Sequence, residues 1–277
     1  MNNTDSENIQ IGWVSGMPRS GTTWLSQIFA SSPDVRLKFC PLFSYEFKNA
    51  LNELSSAEEW KSLFKAVYQT RSEYLDQDYL RNEGLVPSFP EKNDNPHHLI
   101  IKSTRFHNLI PHLLQLDEEI RFIYLVRNPC ATIYSWLTSP YEFPVDADPM
   151  TEWRTGSCRK KGPGEFWGFD DWKKITLQAL ELSNLYPGRF KIQRYEDLVC
   201  DTEKCTKDMF DFFGVSYDKQ TDNFIELSQS RHDKNRRSVF KQQDFKNEWQ
   251  VNLDSSIVSA CIGELVGTEL EQFLKED

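Results

Sequence analysis

The sequence contains no apolar run long enough to cross a membrane. No stretch approaches the ~18–20 apolar residues that a bilayer-spanning helix needs. Residues 1–10 are polar and acidic, whereas a secretory signal peptide begins with basic residues followed by an apolar segment. The six cysteines show no CxxC or CxxH spacing, so the sequence offers neither a zinc motif nor the pattern of a disulfide-rich domain. These absences favour a cytoplasmic protein with no membrane partner and a flexible segment at residues 1–10.

Positive charge is also scarce. The chain has 32 Lys and Arg residues against 42 Asp and Glu, which gives a formal net charge of −10. A protein that binds nucleic acid through its general surface needs an excess of basic residues, so this class is excluded. Disorder is excluded as well, because 8 Trp, 10 Tyr and 19 Phe supply enough apolar surface for a core. An acidic chain of this kind binds an anion only where a few cations are gathered in one pocket.

The apolar runs predict a single α/β domain that covers residues 11–277. Continuous apolar runs at 99–101 and 122–126 are typical of strands buried on both faces of a parallel sheet, and they are two of four strand candidates. The four candidates lie at 11–15, 99–101, 122–126 and 190–193. Helical patterns lie at 21–30, 44–54, 57–68, 106–116, 130–139, 169–185, 201–213 and 255–275. Strands that alternate with helices indicate a central parallel sheet flanked by helices.

Two stretches without such patterns, residues 82–97 and 140–166, are long enough to suggest loops with a function. The first contains three prolines, and the second is rich in proline, glycine and charge. Loops of this length are uncommon in compact domains unless they serve a site, and lids over active sites are a frequent case. We therefore predict that both loops border the active site.

The turn after the first predicted strand has the glycines of a phosphate-binding loop. It reads Gly16-Met-Pro-Arg-Ser-Gly21-Thr-Thr23, which matches G-x-x-x-x-G-K-[ST] except that Thr22 replaces the lysine. Glycines allow backbone N–H groups to converge on an anion, and the following helix adds about half a positive charge at its N-terminus. Arg19 supplies the cation instead, and its planar guanidinium suits phosphate or sulfate oxygens. The missing lysine weakens the alternative of an ordinary P-loop kinase or NTPase.

Two further motifs follow later strands. Arg127 comes directly after the run at 122–126, at the carboxyl end where open α/β sheets bind ligands, and Ser135 lies eight residues on. An arginine with a nearby hydroxyl suits a phosphate monoester. An equally good interpretation is that Arg127 caps backbone carbonyls and Ser135 lies on the surface of a helix. Tyr195 follows the last predicted strand, where a tyrosine lies against a nucleotide base or packs in the core.

Together these motifs resemble those of the sulfotransferases that use 3′-phosphoadenosine-5′-phosphosulfate (PAPS). Arg19-Ser-Gly-Thr-Thr-Trp24 is similar to the family's 5′-phosphosulfate loop, [KR]-S-G-T-T-W. Arg127 and Ser135 have the eight-residue spacing of its 3′-phosphate pair, and Tyr195-Glu-Asp-Leu resembles its Y-E-D-[LM] segment. The three motifs occur in the family's order. The resemblance implies the P-loop nucleotide-hydrolase-like fold of these sulfotransferases.

The resemblance also implies a role for each matching residue. The loop residues that would hold the 5′-phosphate and the sulfuryl group are Arg19, Ser20, Gly21, Thr22 and Thr23. Trp24 would stack on the adenine, Tyr195 would approach it, and Arg127 with Ser135 would bind the 3′-phosphate. Lys102, at the end of the run 99–101, is similar to the family lysine close to the sulfuryl group. No metal takes part in this family, so cationic side chains and loop N–H groups would stabilise the transferring group.

The general base is where the sequence departs from the family. One branch has Lys-x-His at this strand end, but here Lys102-Ser-Thr104 lacks the histidine and the nearest one is His107. Another branch has Glu before Pro-Leu, where this chain has Cys40, and Glu46 follows six residues later. An unperturbed histidine titrates at about pH 6.5, whereas a glutamate must be desolvated to act near neutrality. The sequence favours His107 over Glu46 as the base.

The C-terminal region departs from the family as well. The Arg-Lys-Gly run that closes the 3′-phosphate site in the cytosolic branch is absent, and residues 231–246 are instead basic in an otherwise acidic chain. We predict that one or two of Arg236, Arg237 and Lys241 complete the phosphate site.

The sequence thus predicts sulfuryl transfer from PAPS to a hydroxyl or to an amino or carbamoyl nitrogen of a small molecule, with release of adenosine 3′,5′-bisphosphate (PAP). Aromatic residues and acids in the stretch 136–172 suit a cationic acceptor. One hypothesis is therefore a tailoring enzyme of secondary metabolism, similar to the cyanobacterial sulfotransferases that modify guanidinium alkaloids such as saxitoxins. Glycan and tyrosyl-peptide acceptors are alternatives. Another class of alternative is a P-loop kinase or NTPase, or a catalytically silent nucleotide-binding module. The sequence allows a monomer or a homodimer.

Overall fold

The computed structural model describes residues 9–241 and 248–275. Its strands are β1 (Gln10–Gly16), β2 (Val35–Phe39), β3 (His98–Ser103), β4 (Arg121–Val126) and β5 (Phe190–Arg194). They form one parallel sheet in the order β2-β3-β1-β4-β5. Of the segment 1–10 that the sequence predicts to be flexible, residues 1–8 lie outside the described part. The same is true of residues 242–246 at the end of the basic run.

Helices connect the strands and cover the sheet. They are α1 (Thr22–Ser31), α2 (Ala57–Gln69), α3 (Asp78–Asn82), α4 (Ile110–Leu116), α5 (Pro129–Leu137), α6 (Pro149–Thr155), α7 (Gly168–Leu185), α8 (Tyr195–Cys200), α9 (Thr202–Phe213), α10 (Lys219–Ser230), α11 (Glu248–Asn252) and α12 (Ser255–Leu265). Short 3₁₀ turns lie at Pro41–Phe43, His107–Leu109, Ser157–Arg159 and Glu269–Phe273. None of the helices in the described ranges is both long and apolar enough to span a bilayer.

Both faces of the central strands are buried, as their unbroken apolar runs predict. Trp13 and Phe122 are neighbours in register, and their rings stack 5.8 Å apart in the core on one face. Val14 and Ile123, the next residues along the same strands, belong to the core on the other face. The prediction of an α/β domain with a parallel sheet between helices is confirmed.

The edge strand β2 shows where the apolar-run criterion fails. Arg36 and Lys38 interrupt its apolar residues, so β2 has no continuous apolar run, although apolar and polar residues alternate along it. Lys38 is nevertheless fully buried, and its ammonium group donates to the Asp76 carboxylate at 2.7 Å. A buried charge is tolerated when it is paired, and this pairing allows a lysine inside the sheet.

The helix predicted at 44–54 is wrong, because these residues form turns. The Ser44 hydroxyl accepts from the Phe47 N–H at 3.1 Å, and the Ser55 hydroxyl accepts from the Asn52 N–H at 3.0 Å. Such local bonds offer the backbone an alternative to helical hydrogen bonds. The helix predicted at 255–275 is too long, since α12 ends at Leu265 and Gly267 takes a left-handed φ of 78°.

Candidate active site

The three sequence motifs meet in one cavity at the carboxyl ends of β1, β3 and β4. Parallel sheets bind ligands at this edge, and the cavity has a volume of about 680 Å³. Of the residues predicted from sequence, its lining includes Arg19, Gly21, Thr22, Thr23, Trp24, Lys102, Arg127, Ser135, Tyr195, Arg236, Arg237 and Lys241. Ser20 is buried within the loop. His107 and Glu46 do not line the cavity.

The cavity has the opposite charge to the molecule. Of the described residues that line it, two are glutamates, Glu142 and Glu248. Nine are basic, namely Arg19, Lys102, Arg105, Arg127, Arg159, Lys234, Arg236, Arg237 and Lys241. A cleft lined by one sign of charge concentrates ligands of the other sign. The net charge of −10 therefore conceals a strongly basic pocket.

Two glycines shape the phosphate loop between β1 and α1. A Cβ at Gly16 would lie 2.4 Å from the Leu125 carbonyl oxygen, so only glycine allows the loop to start this close to β4. Gly21 has a left-handed φ of 91°, and a Cβ there would lie 2.6 Å from the Tyr195 ring. Gly21 is also the N-cap of α1 and brings no side chain to the first N–H groups of the helix. These donors are the ones that an anion uses at a helix N-terminus.

Arg19 connects the loop with two distant parts of the chain. Its Nε donates to the Ser135 hydroxyl on α5 at 3.2 Å, and its Nη2 donates to the Arg236 carbonyl at 3.0 Å. Its Nη1 lies 3.4 Å from Oε2 of Glu142. Burial lowers the pKa of the Arg19 guanidinium, and the Glu142 carboxylate opposes that effect. Arg19 therefore holds together residues that the sequence separates by more than a hundred positions.

Lys102 enters the cavity from the neighbouring strand. It stands in register with Val14 of β1, and its side chain is almost wholly buried. Its ammonium nitrogen lies 4.5 Å from the centroid of the Phe39 ring, a cation–π contact. Desolvation lowers the pKa of this lysine. The site thus places a second, poorly hydrated cation close to the phosphate loop.

Arg127, Tyr195 and Trp24 form the next part of the wall. The Arg127 guanidinium lies 4.6 Å from the centroid of the Tyr195 ring, and its Nη1 donates to the Arg19 carbonyl at 3.2 Å. Its Nε is buried and has no hydrogen-bond partner within the described residues. The Trp24 ring meets Tyr195 edge to face at 6.4 Å, and its N–H donates to Ser228 at 2.9 Å. Two aromatic rings and an arginine with a spare donor therefore share one wall.

The basic C-terminal run closes the cavity. The Arg236 guanidinium lies 3.4 Å from the Glu248 carboxylate, while the Arg236 carbonyl accepts from Arg19. The Arg237 guanidinium lies 4.1 Å from the centroid of the Tyr141 ring. The Lys241 ammonium donates to the Asn235 carbonyl at 2.8 Å, which curls the segment back on itself. All three predicted cations of this run reach the cavity lining.

The structure keeps His107 and Glu46 away from the cavity. His107 is fully buried, its Nδ1 lies 3.2 Å from the Tyr124 hydroxyl, and burial lowers its pKa to about 3. Glu46 is exposed. Desolvation raises the pKa of Glu46, but hydrogen bonds from its own N–H and from Ser72 outweigh it, and the pKa lies below the usual value. The geometry gives neither residue access to a ligand in the cavity.

Among the charged lining residues, four lie outside the sequence motifs: Arg105, Glu142, Arg159 and Glu248. Arg105 stands two residues beyond the end of β3, a position at which the sequence offers only a weak signal. Glu142 and Arg159 lie in the loop 140–166, which the sequence predicts as an active-site loop and which does reach the lining. The loop 82–97 contributes no residue to the lining.

The loop 82–97 is instead fastened to the end of α1. The Lys92 ammonium donates to the carbonyls of Ala30, Ser32 and Val35, the latter two at 2.8 and 3.0 Å. Burial lowers the pKa of Lys92 to about 8. A cation at a helix C-terminus satisfies its last carbonyls, so this loop has a structural contact where the sequence predicts a functional one.

Comparisons with known proteins agree with the geometry. The sequence profile of the sulfotransferase family matches residues 13–219. The crystal structure of mouse sulfotransferase SULT7A1 complexed with PAP has a TM-score of 0.59 and 17% identity over 98% of this chain and 90% of that chain. The sulfotransferase domain of the Synechococcus PCC 7002 olefin synthase has a TM-score of 0.48 and 18% identity, over 94% and 96% of the two chains. The domain from the curacin biosynthetic pathway has a TM-score of 0.47 and 20% identity, over 91% and 90%. The likeness to the mouse protein shows a common fold.

Proposed function

Because the chain belongs to the sulfotransferase family, we propose that it transfers a sulfuryl group from PAPS to a hydroxyl or to an amino or carbamoyl nitrogen of a small-molecule acceptor and releases PAP. One observation carries the choice of donor. Arg19, Lys102 and Arg127 come from the carboxyl ends of three adjacent strands and line one cavity. A donor with a phosphosulfate at one end and a 3′-phosphate near the other needs cations spread in this way.

The lining residues fit such a donor. The loop from Arg19 to Thr23, together with Lys102, would hold the 5′-phosphosulfate. Arg127 and Ser135 would bind the 3′-phosphate, assisted by the basic run at 236–241. The buried Nε of Arg127, which has no hydrogen-bond partner within the described residues, is a donor that such a phosphate would satisfy.

The adenine would stack on Trp24, with Tyr195 approaching it. Their rings are 6.4 Å apart and nearly perpendicular, so one offers a face while the other offers an edge. The bond from the Trp24 N–H to Ser228 fixes the plane of the indole. In the mouse structure the bound nucleotide is PAP, and the shared fold supports the same ligand class here.

Charge stabilisation is the chemistry that these residues would supply. Sulfuryl transfer moves negative charge onto the bridging oxygen of the leaving phosphate, and fixed cations in a water-poor cleft stabilise that charge strongly. Arg19 and Lys102 are both mostly buried, and desolvation lowers the pKa of each. They are therefore cations that bind an anion without first losing a large hydration shell.

Removal of the acceptor proton requires a base that faces the cavity, and we assign this role to Glu142. It is one of the two glutamates in the described lining, and it lies 3.4 Å from the loop arginine. Glu248 lies instead beside Arg236. A donor that occupies Arg19 would release the Glu142 carboxylate toward the acceptor. His107 and Glu46, the candidates that the sequence favours, lack such access.

The proposal is tested by binding and transfer measured separately. We expect calorimetry to show PAP binding without added metal, and labelled PAPS to pass its sulfuryl group to one member of a panel of alcohols, phenols, amines and sugars. Arg127→Ala should weaken PAP binding by about 10-fold or more, since a hydrogen bond to a charged group is worth about 1.5–3 kcal/mol. Arg121→Ala, an exposed arginine at the opposite end of β4, is the control.

Other outcomes would select the alternatives. Tight PAP binding with no transfer to any acceptor would indicate a catalytically silent nucleotide-binding module. Turnover of ATP with magnesium in place of PAPS would indicate a kinase or NTPase, and the donor assignment would then be abandoned.

A further inference from the structure

Two arginines line the cavity outside the segments proposed to bind the donor. Arg105 follows β3, and Arg159 ends the 3₁₀ turn Ser157–Arg159. The donor residues lie on the phosphate loop, the start of α1, β3, the end of β4, α5, α8 and the run 236–241. Phosphate recognition therefore does not account for Arg105 and Arg159.

Arg105 is held in place by a carboxylate and an aromatic ring. Its guanidinium lies 3.7 Å from the centroid of the Phe43 ring and forms an ion pair with Glu165. The Arg105 and Glu165 side chains are only 13% and 8% exposed. Glu165 itself accepts from the Lys161 N–H at 2.6 Å. The Arg105 side chain is thus fixed before any ligand arrives.

Arg159 has a different status, because its charge is not paired. Its guanidinium lies 5.9 Å from the centroid of the Trp167 ring. Within the described residues its Nε is buried without a hydrogen-bond partner, and no carboxylate lies within 4 Å of its nitrogens. A buried donor without a partner destabilises the fold, and a ligand that accepts its hydrogen bond removes that penalty.

The charges of this part of the wall do not balance. Arg105 pairs directly with Glu165, and Arg159 interacts with the same carboxylate at longer range. Of these three groups two are cations and one is an anion, which leaves an excess of positive charge beside the Phe43 and Trp167 rings. This wall is preformed, because the Phe106 N–H donates to the Gly164 carbonyl at 2.8 Å and fastens the loop to the end of β3.

Of the acids in the stretch 136–172 that suggest a cationic acceptor, Glu142 lines the cavity, whereas three aspartates have partners outside it. Asp148 caps α6 through the Met150 N–H at 3.1 Å, Asp170 pairs with Arg154 at 3.1 Å, and Asp171 pairs with Lys160 at 2.7 Å. None of these three aspartates lines the cavity. They stabilise the loop and its helices, where their charges are neutralised by ion pairs or used to cap a helix.

From these observations we propose that Arg105 and Arg159 form a subsite for an anionic group of the acceptor, a carboxylate or a phosphate, whose apolar body packs against Phe43 and Trp167. The inference rests on the proposed sulfuryl transfer, because the anion is assigned to the acceptor. Binding of the anion can nevertheless be measured without any transfer. A guanidinium seated on an aromatic face presents its N–H edge to a carboxylate or phosphate in its own plane. The enzyme would therefore add a sulfate to a molecule that already carries a negative charge.

Three phenols of equal size test the sign of the charge. They are 4-hydroxyphenylacetate, its neutral amide, and the cationic tyramine, and 4-hydroxybenzylphosphonate serves to compare phosphate-like with carboxylate anions. Calorimetric titration into protein saturated with PAP measures acceptor binding without requiring transfer. We expect the anions to bind at least about 10-fold more tightly than the amide, and tyramine to bind weakest, as for one charge-assisted hydrogen bond.

Variants identify the residues. Arg159→Ala should remove the advantage of the anions and leave the amide unchanged, whereas Lys160→Ala, which removes a neighbouring charge outside the lining, should preserve it. The subsite is rejected if the anions bind no better than the amide, whether both bind or neither does. It is also rejected if Lys160→Ala and Arg159→Ala weaken anion binding equally. The tighter binding of the anions would then come from the overall positive potential of this region and not from Arg159 itself. Failure of PAP to bind in the first titration would reject the proposed function instead, and titration into the free protein would then decide the subsite.

Discussion

Arg19 combines a strained backbone with three side-chain contacts to distant residues. Its φ of 73° lies in the left-handed region, which costs a residue other than glycine about 1 kcal/mol or more. Strain of this size persists only where the surroundings determine the conformation, and here Ser135, Arg236 and Glu142 do so. With this backbone conformation the Arg19 side chain lies in the wall of the cavity, where it can bind an anion.

Arg19→Lys tests whether the guanidinium fork matters in addition to its charge. Lysine keeps the positive charge and the same backbone strain, but it cannot reach Ser135, the Arg236 carbonyl and a ligand at once. We expect the Kd for PAP to rise about 10-fold to 100-fold, as for the loss of one charge-assisted hydrogen bond. Calorimetry measures it, and Arg121→Lys on the exposed start of β4 is the control. An unchanged Kd would show that charge alone is sufficient.

Glu142→Gln tests the assigned base. The amide keeps the shape of the side chain but accepts no proton, so kcat should fall by about 10²–10⁴-fold with the acceptor found by profiling. PAP binding should not weaken, because Arg19 only loses a competing carboxylate. Asp146→Asn, an exposed acid on the same loop, is the matched control and should leave kcat unchanged. A large fall in PAP affinity with little change in kcat would assign Glu142 to donor binding.

At the scale of elements, the sequence predicts the buried parts of the fold and loses accuracy toward its edges. The runs around Trp13 and Phe122 are unbroken because both of their faces are covered, and each is a strand where predicted. β2 is missed because Arg36 and Lys38 interrupt its apolar residues, and the sequence does not show that the buried Lys38 is paired with Asp76. Turns at 44–54 arise from side-chain bonds to the backbone, which hydrophobic periodicity does not register.

The same reasoning explains which site residues are predictable. Arg19 and Arg127 follow strands directly, so the topology of a parallel sheet alone brings them to one edge. Glu142 and Arg159 reach the cavity through the folding of a long loop, and Glu165 meets Arg105 only because that loop is fastened to β3. Motif spacing carries no information about such contacts.

Lys92→Met tests the role of the loop 82–97 as a fastening for α1. Methionine preserves the apolar stem but leaves the carbonyls of Ala30, Ser32 and Val35 without this donor. We expect the free energy of unfolding in urea to fall by about 1–3 kcal/mol, the usual cost of unsatisfied buried polar groups. Lys61→Met, on the exposed face of α2, should change it little. PAP affinity should be unaffected, because the loop 82–97 contributes no lining residue.

At the scale of the whole molecule, stability should depend on pH through the buried His107. Its pKa of about 3 in the folded protein lies below the value of about 6.5 in an unfolded chain. Between these two values the unfolded state binds more protons, so the free energy of unfolding rises with pH and is lost as the pH falls. The slope from this one group approaches about 1.4 kcal/mol per pH unit.

His107→Gln should remove that contribution. Urea unfolding of both proteins between pH 4 and pH 7 measures it, and the wild-type curve should be the steeper one below about pH 6.5. The pH profile of kcat should be the same in both, because His107 does not line the cavity. Loss of the lower limb of that profile in the variant would restore His107 as the base.

The contacts of Arg19 have a practical consequence for the search for the acceptor. Its side chain connects the phosphate loop to α5 and to the segment at 236. A ligand bound at Arg19 therefore contacts a residue that also stabilises the folded structure. A ligand that binds the folded protein at 100 times its Kd adds about 2.7 kcal/mol to the free energy of unfolding. For a chain of this size such a gain raises the melting temperature by about 5 °C. Candidate acceptors can therefore be ranked by heat denaturation in the presence of PAP, before any turnover has been detected.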